Sequence, residues 1–292
     1  MDGQYIQVGT INTFFIEQGK GDPIVFIHGA GFAVDGVLTW WQQLKAVSVD
    51  HRVIVFDQVG FGRSDLPADG VYKGREERVD HVVAFLRARG IEQATLVGHS
   101  EGGYIALRIA QQFPGLANRL VIVNSGSASP MLGGDRDAAW LAAADEVYNY
   151  DLDTMGVEEF IERCRRESFV LDDVTEGLYR RNFAHAHAAG HRALAKTFSH
   201  AEKDMQAYMA LQSQYIDGKL SGLSQPALLM WSADDPTVPV ERGLALQRLM
   251  PNSDMHIFAR AQHMLMHDRS DAFDAVLRSW LRSPGRAASS RT

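Results

Sequence analysis

The chain of 292 residues contains one cysteine, Cys164. No intrachain disulfide can form, and a lone thiol fits a reducing, cytoplasmic setting better than a secreted one. No apolar run approaches the ~18 residues that a membrane-crossing helix needs. The opening stretch, MDGQYIQVGTINTFF, lacks both the basic and the apolar region of a secretory leader, so none is expected. Basic tracts are also missing and the net charge is −7, so neither nucleic acid nor a membrane surface is expected as a partner. There is no internal repeat. The one low-complexity block is the small polar tail Ser283–Thr292, which reads as frayed.

What is present is ordinary globular material, 46% hydrophobic and 22% charged. The length suits one large domain, or a core with an inserted subdomain, and leaves room for an internal pocket. Six apolar runs rich in β-branched residues read as buried strands: Pro23–Gly29, Arg52–Asp57, Ala94–His99, Arg119–Ser125, Pro226–Ser232 and Asp254–Phe258. They lack clean alternation, which means burial on both faces and a mainly parallel sheet. Helical patterns separate them at Val37–Ala46, Arg75–Arg89, Gly103–Gln112, Val240–Leu249 and Asp271–Leu281. Repeated strand–helix units predict an α/β fold with helices on both faces of the sheet. The residues before Pro23 predict an antiparallel hairpin at a sheet edge.

The alternation stops in the middle of the chain. Residues 130–222 offer no strand, only helical spacing at Trp140–Val147, Val157–Phe169, Glu176–His187 and Ala189–Gln214. We expect a helical lid there, inserted into a core made of residues 1–129 and 223–282.

One turn carries the chemistry. Gly98-His99-Ser100-Glu101-Gly102 fits G-x-S-x-G where a predicted strand becomes a helix. That context makes Ser100 a candidate nucleophile, held in a strained conformation with its hydroxyl above the sheet. Glycines on either side remove side chains that would collide across the turn. The amide of Glu101 opens the helix, where an oxyanion is favoured.

A serine hydroxyl needs a base and an orienting acid, in the chain order serine, acid, histidine for this kind of turn. Asp234 and Asp235 follow the strand Pro226–Ser232, and His263 follows Asp254–Phe258. Both places are carboxyl ends of strands. Asp235, which starts DPTVP, is preferred over Asp234, and His263 over His267, which would cap or pack the last helix. The loop in FIHGAGF supplies a second oxyanion amide, assigned to Ala30 with Gly31 close behind; His28 is structural. Trp41 and Met264 lie near these segments and are candidate pocket-wall residues.

HGAG, DQVGFGRSD, GHSEGG, ADDPTVP and a late histidine together resemble the α/β-hydrolase superfamily, across Gln4–Val123 and Gln225–Leu281. Within it the chain is most similar to the lidded hydrolases of meta-cleavage products of aromatic rings. Three positions depart from that group: His99 stands where asparagine is usual, Met264 where tryptophan is usual, and HGAGFAVDG replaces a glycine-rich HGxGPG loop. The resemblance implies a lid arginine for a substrate carboxylate, and Arg180 and Arg181 lie near the corresponding place.

The expected function is cofactor-free serine hydrolysis of an activated carbonyl in a small, largely apolar substrate. The bond cut is C–C in a ring-fission product, with carboxylesterase or lactonase as the alternative. More distant alternatives on this fold are cofactor-independent oxygenation and ligand reception. A serine at position 100 argues against chemistry that uses a carboxylate nucleophile. Eleven histidines do not make a metal site. His185 and His187 cannot share a helix face, Gly190 interrupts His187 and His191, and no third ligand is near. Cys164 reads as a lid packing residue. Homo-oligomerisation stays open.

Overall fold

A computed structural model describes residues 2–148, 151–197, 210, 212–216 and 218–283. Among them the strands form one eight-stranded sheet in the order β1-β2-β4-β3-β5-β6-β7-β8. The strands are β1 (Gln4–Val8), β2 (Ile11–Gln18), β3 (Pro23–Ile27), β4 (Arg52–Phe56), β5 (Ala94–His99), β6 (Ala117–Val123), β7 (Ala227–Ser232) and β8 (Ser253–Phe258). β1 and β2 are the expected hairpin, and β2 runs antiparallel to β4. Every other pairing is parallel.

The apolar runs lack alternation because both faces of the sheet are covered. In β3, Val25 and Ile27 pack with α2 (Arg75–Ala88) and α3 (Glu101–Gln112), while Ile24 and Phe26 pack on the opposite face. The opposite layer consists of α1 (Gly36–Val47) and, near the C-terminus, α10 (Ser270–Arg282). Each large side chain buried there contributes roughly 1.5–3 kcal/mol.

Strand order reverses beside β3. β4 lies on one side of it and β5 on the other. A crevice opens at such a switch point, outside the carboxyl ends of the two strands. The loop after β3 carries Ala30, and the turn after β5 carries Ser100.

Between β6 and β7 the described residues form no strand. They form α4 (Asp135–Tyr148), α5 (Val157–Cys164), α6 (Asp173–Ala188) and α7 (His191–Lys196), followed by further helical residues at 212–215. Two expectations are corrected. The helix expected over Val157–Phe169 ends at Cys164. The one expected from Ala189 starts at His191, because Gly190 takes a left-handed φ of 84° and separates α6 from α7. Most of the remainder of that expected helix lies outside the described residues. After β7 come α8 (Val240–Leu249) and the short α9 (Leu265–Asp268), which precedes α10. No helix among the described residues is long and apolar enough to cross a membrane.

Candidate active site

The turn after β5 has the strain its sequence implies. Ser100 has φ 52° and ψ −123°. Its N–H donates to Val123 O at 2.9 Å, and its carbonyl accepts from Gly103 N at 3.0 Å and from the Ser125 hydroxyl. A conformation that costs of order 1–3 kcal/mol is thereby held from both ends. The flanking glycines are required by contact. A Cβ on Gly98 would lie 2.2 Å from Gly102 O, and one on Gly102 would lie 2.3 Å from Ile27 O.

Gly29 plays the same part in the facing loop, where a Cβ would stand 2.9 Å from Ser100 Cβ. Main chain at Ala30 and Gly31 can therefore approach the serine, and both residues line the same cavity as Ser100. Glu101 is the first residue of α3, so its N–H belongs to the helix end that has no intrahelical acceptor. Its carboxylate is tied back to α2 by Arg78 at 2.6 Å and Arg75 at 3.3 Å, both nearly inaccessible.

His28 is fully buried beneath this loop. Gln58 N–H donates to its Nε2 at 3.1 Å, so Nδ1 carries the proton and donates to Gly29 O at 2.7 Å. Burial lowers its pKa to about 4, which keeps the ring neutral in this role.

Asp235 and His263 meet where β7 and β8 end. Asp235 Oδ2 lies 2.8 Å from His263 Nδ1. The other carboxylate oxygen accepts from Thr237 N at 2.8 Å and Val238 N at 2.9 Å. An ionised carboxylate only accepts, so His263 Nδ1 is the donor and Nε2 is left as the basic nitrogen. Burial works against the charged imidazole, but the adjacent Asp235 outweighs it and raises the His263 pKa above the ordinary histidine range. Glu167 adds to that rise. Asp234 is exposed and its Oδ2 accepts from Arg260 N at 2.9 Å, a turn-fixing role. His267 is buried and bonds Leu38 O through Nε2 at 3.0 Å, joining α9 to α1.

Ser100, His263, Ala30, Gly31 and Met264 share one cavity, walled on the insertion side by Phe160, Arg163, Cys164, Glu167 and Tyr179. Three candidate substrate-binding residues stand elsewhere. Trp41 packs against the core cluster under α1 and does not line the cavity. Arg180 is outside it too, bonded to Glu158 at 2.7 and 2.9 Å and to Glu176 at 2.9 Å. Arg181 reaches Asp35 Oδ2 at 3.2 Å and Asn182 Oδ1 at 2.7 Å. Glu158 on α5 and Asp35 before α1 reach these guanidinium groups from other elements, a pairing invisible in a linear reading; Glu176 is an i,i+4 partner on the same helix.

Arg163 and Glu167 were not candidates in the sequence. A signal exists: Phe160, Arg163, Cys164 and Glu167 follow the i, i+3, i+4, i+7 pattern of one helix face. Glu167 also accepts the Met264 N–H on its main-chain carbonyl at 2.8 Å, beside the loop of His263.

The family model for the alpha/beta hydrolase fold matches residues 22–270. The chain is 27% identical to a 2-hydroxy-6-oxo-2,4-heptadienoate hydrolase of Pseudomonas putida, over 96% of each chain. It is 29% identical to a 2-hydroxymuconate semialdehyde hydrolase of Pseudomonas sp. strain CF600, over 98% of this chain and 96% of that one. Among solved structures it resembles a variant of the meta-cleavage product hydrolase CumD, with a TM-score of 0.79 and 23% identity over 96% of this chain and 97% of that one. A thermophilic esterase from Thermogutta terrifontis is similar with a TM-score of 0.70 and 21% identity, over 97% of this chain and 98% of that one. From the sheet order, the strained serine turn and the family match together, the chain belongs to the α/β-hydrolase fold family.

Proposed function

We propose that the protein is a serine hydrolase that cuts a C–C bond in a ring-fission product of aromatic degradation. The observation that carries the hydrolase reading is the 2.8 Å Asp235–His263 pair, whose His263 lines one cavity with the strained Ser100. His263 Nε2 takes the Ser100 proton as Oγ attacks the carbonyl carbon. The amides of Ala30 and Glu101 hold the oxyanion. The attacked species is the keto tautomer of the dienol, formed when the enol proton moves to the carbon next to the ketone; collapse then breaks the C–C bond, and the dienolate leaving group takes a proton from the imidazolium. Water, deprotonated by His263, then releases the acyl group as a carboxylic acid. Asp235 holds the imidazole tautomer throughout. No cofactor enters these steps.

The substrate class is supported by full-length similarity to hydrolases of that type and by the aromatic wall of Phe32, Phe160 and Tyr179. Residues 130–222 act as the lid of a core formed by 1–129 and 223–282, and the compartment is the cytoplasm. One observation favours a carboxylesterase as the second reading. Arg180 and Arg181 are outside the cavity, and its wall holds one arginine, Arg163, which pairs with Glu159 at 3.2 Å, together with Glu167; opposite charges that balance suit a neutral substrate.

A side-by-side assay of p-nitrophenyl esters and a yellow dienol ring-fission acid separates the readings. Loss of the yellow colour is expected for the wild type. Brisk ester hydrolysis with no action on any ring-fission acid would leave the esterase. Ser100→Ala should lower kcat by roughly 10⁴–10⁶-fold with the fold intact. Wild-type turnover by this variant would reject both readings.

A further inference from the structure

The loop after β3 is the segment in which this sequence departs most from the glycine-rich pattern, reading HGAGFAVDG. Phe32, Ala33 and Asp35 in that loop all contact the insertion. Phe32 is buried, with its ring edge-on to Phe160 at 6.4 Å, Phe183 at 5.9 Å and His187 at 5.8 Å. Ala33, at φ 61°, gives its carbonyl to Asn182 Nδ2 at 3.1 Å. Asp35 uses Oδ1 to cap α1 through Leu38 N at 2.6 Å and Oδ2 to accept from Arg181 at 3.2 Å. The core ties the two ends of the loop, Gly29 O through His28 Nδ1 at 2.7 Å and Gly36 N through Asp57 Oδ1 at 2.9 Å, whereas the bond within the tip is long, Val34 N to Gly31 O at 3.4 Å. Gly31 itself sits at φ 145°, a conformation that glycine holds without steric support. Between those ends, the shape of the tip is therefore set more by α6 than by the tip's own bonding.

We propose that Arg181 and Asn182 on α6, with Phe32 as the packed anchor, are positioning residues for the Ala30 amide. The insertion thus completes the oxyanion hole as well as roofing the pocket. This rests on the serine-hydrolase reading of Ser100. A donor that drifts by about 1 Å loses most of its effect on the transition state while the ground-state carbonyl, held by the pocket wall, is little affected.

The test uses Arg181→Met and Asn182→Ala, whose sites lie outside the cavity, and their double variant. Arg180→Gln is the control on the same helix. The readouts are kcat and KM on an ester and the affinity of a trifluoromethyl ketone. The ketone adds Ser100 Oγ to its carbonyl carbon, leaves its oxygen as an oxyanion, and leaves the serine proton on His263. The double variant should lose about 10- to 100-fold in kcat and in ketone affinity together, with KM within about threefold of wild type. Arg181→Lys, which keeps the charge at Asp35, should restore part of the loss. Arg180→Gln should behave as wild type. A double variant that keeps kcat and ketone affinity, whether or not its melting temperature falls, overturns the inference alone. Equal losses in Arg180→Gln would also overturn it, by removing the specificity for the loop contacts. If an organophosphate fails to label Ser100 in the wild type, the hydrolase reading falls and takes the inference with it.

Discussion

The main-chain carbonyl of His263 accepts a hydrogen bond from Nε2 of His99 at 3.0 Å, and the two rings lie 4.7 Å apart. A carbonyl cannot donate, so His99 Nε2 holds the proton. Burial, reinforced by the neighbouring His263, keeps the His99 pKa well below the ordinary value. Asn124 Nδ2 donates to the same carbonyl at 3.0 Å. The residue before the serine thus grips the loop of the base directly. His99→Phe keeps the ring volume and removes the donor. Since a net hydrogen bond contributes about 1 kcal/mol, kcat should fall by roughly fivefold, measured on any ester that the wild type turns over. An unchanged kcat would leave Asn124 as sufficient support.

The acid is the subject of a second comparison. Asp235→Asn should cost about 10⁴-fold in kcat, through the wrong imidazole tautomer. Asp234→Asn should have a small effect, because Asp234 is exposed and, among the described residues, bonds the turn at Arg260 and Ala261. Reversal of the two results would move the role to Asp234.

The pH profile follows from the His263 environment. The base form is the neutral ring, so kcat/KM should rise with pH through a pKa above the usual 6.5. Glu167 helps to hold that pKa up. Removing its charge in Glu167→Gln favours the neutral ring, and the acid limb should shift to lower pH. A limb that stays fixed in this variant would show that the Glu167 charge is compensated.

The elbow glycines predict a stability contrast. In Gly98→Ala the new methyl would lie 2.2 Å from Gly102 O and 2.6 Å from Gly103 N, main-chain atoms that cannot swing away. The cost should exceed about 3 kcal/mol, above the usual range for overpacking. Gly177, exposed within α6, has nothing within 4 Å of its Cβ position. Gly177→Ala should instead stabilise by up to about 1 kcal/mol. Urea midpoints of the two variants check both signs.

Much of this site was legible because its determinants are local. Gly98, Ser100 and Gly102 announce a strand-to-helix turn within five residues, and Asp235 and His263 each follow a recognisable apolar strand. The insertion was harder to read for a physical reason. Its helices satisfy their charges across space, so Arg180 and Arg181 could not be told from pocket residues until Glu158 and Asp35, on other elements, were found beside them. Trp40 and Trp41 are adjacent in sequence, yet Trp40 is wholly buried against Phe26 and Trp41 only partly so. A helical rotation of about 100° per residue separates them. The helix expected over Val157–Phe169 already included Glu167, but which of its faces meets the core depends on contacts with distant segments such as Met264, so the face of Phe160, Arg163, Cys164 and Glu167 was not recognisable as a cavity wall.

Cys164 shares the cavity wall with Ser100. Burial pushes its thiol well above the ordinary cysteine range, and the nearby Glu167 charge adds to this. The sulfur is therefore held as S–H, the weakly nucleophilic form. Thiol reagents need the thiolate, so they should spare this sulfur, while Ser100 in the same cavity has His263 beside it as a base and is the atom open to an electrophile.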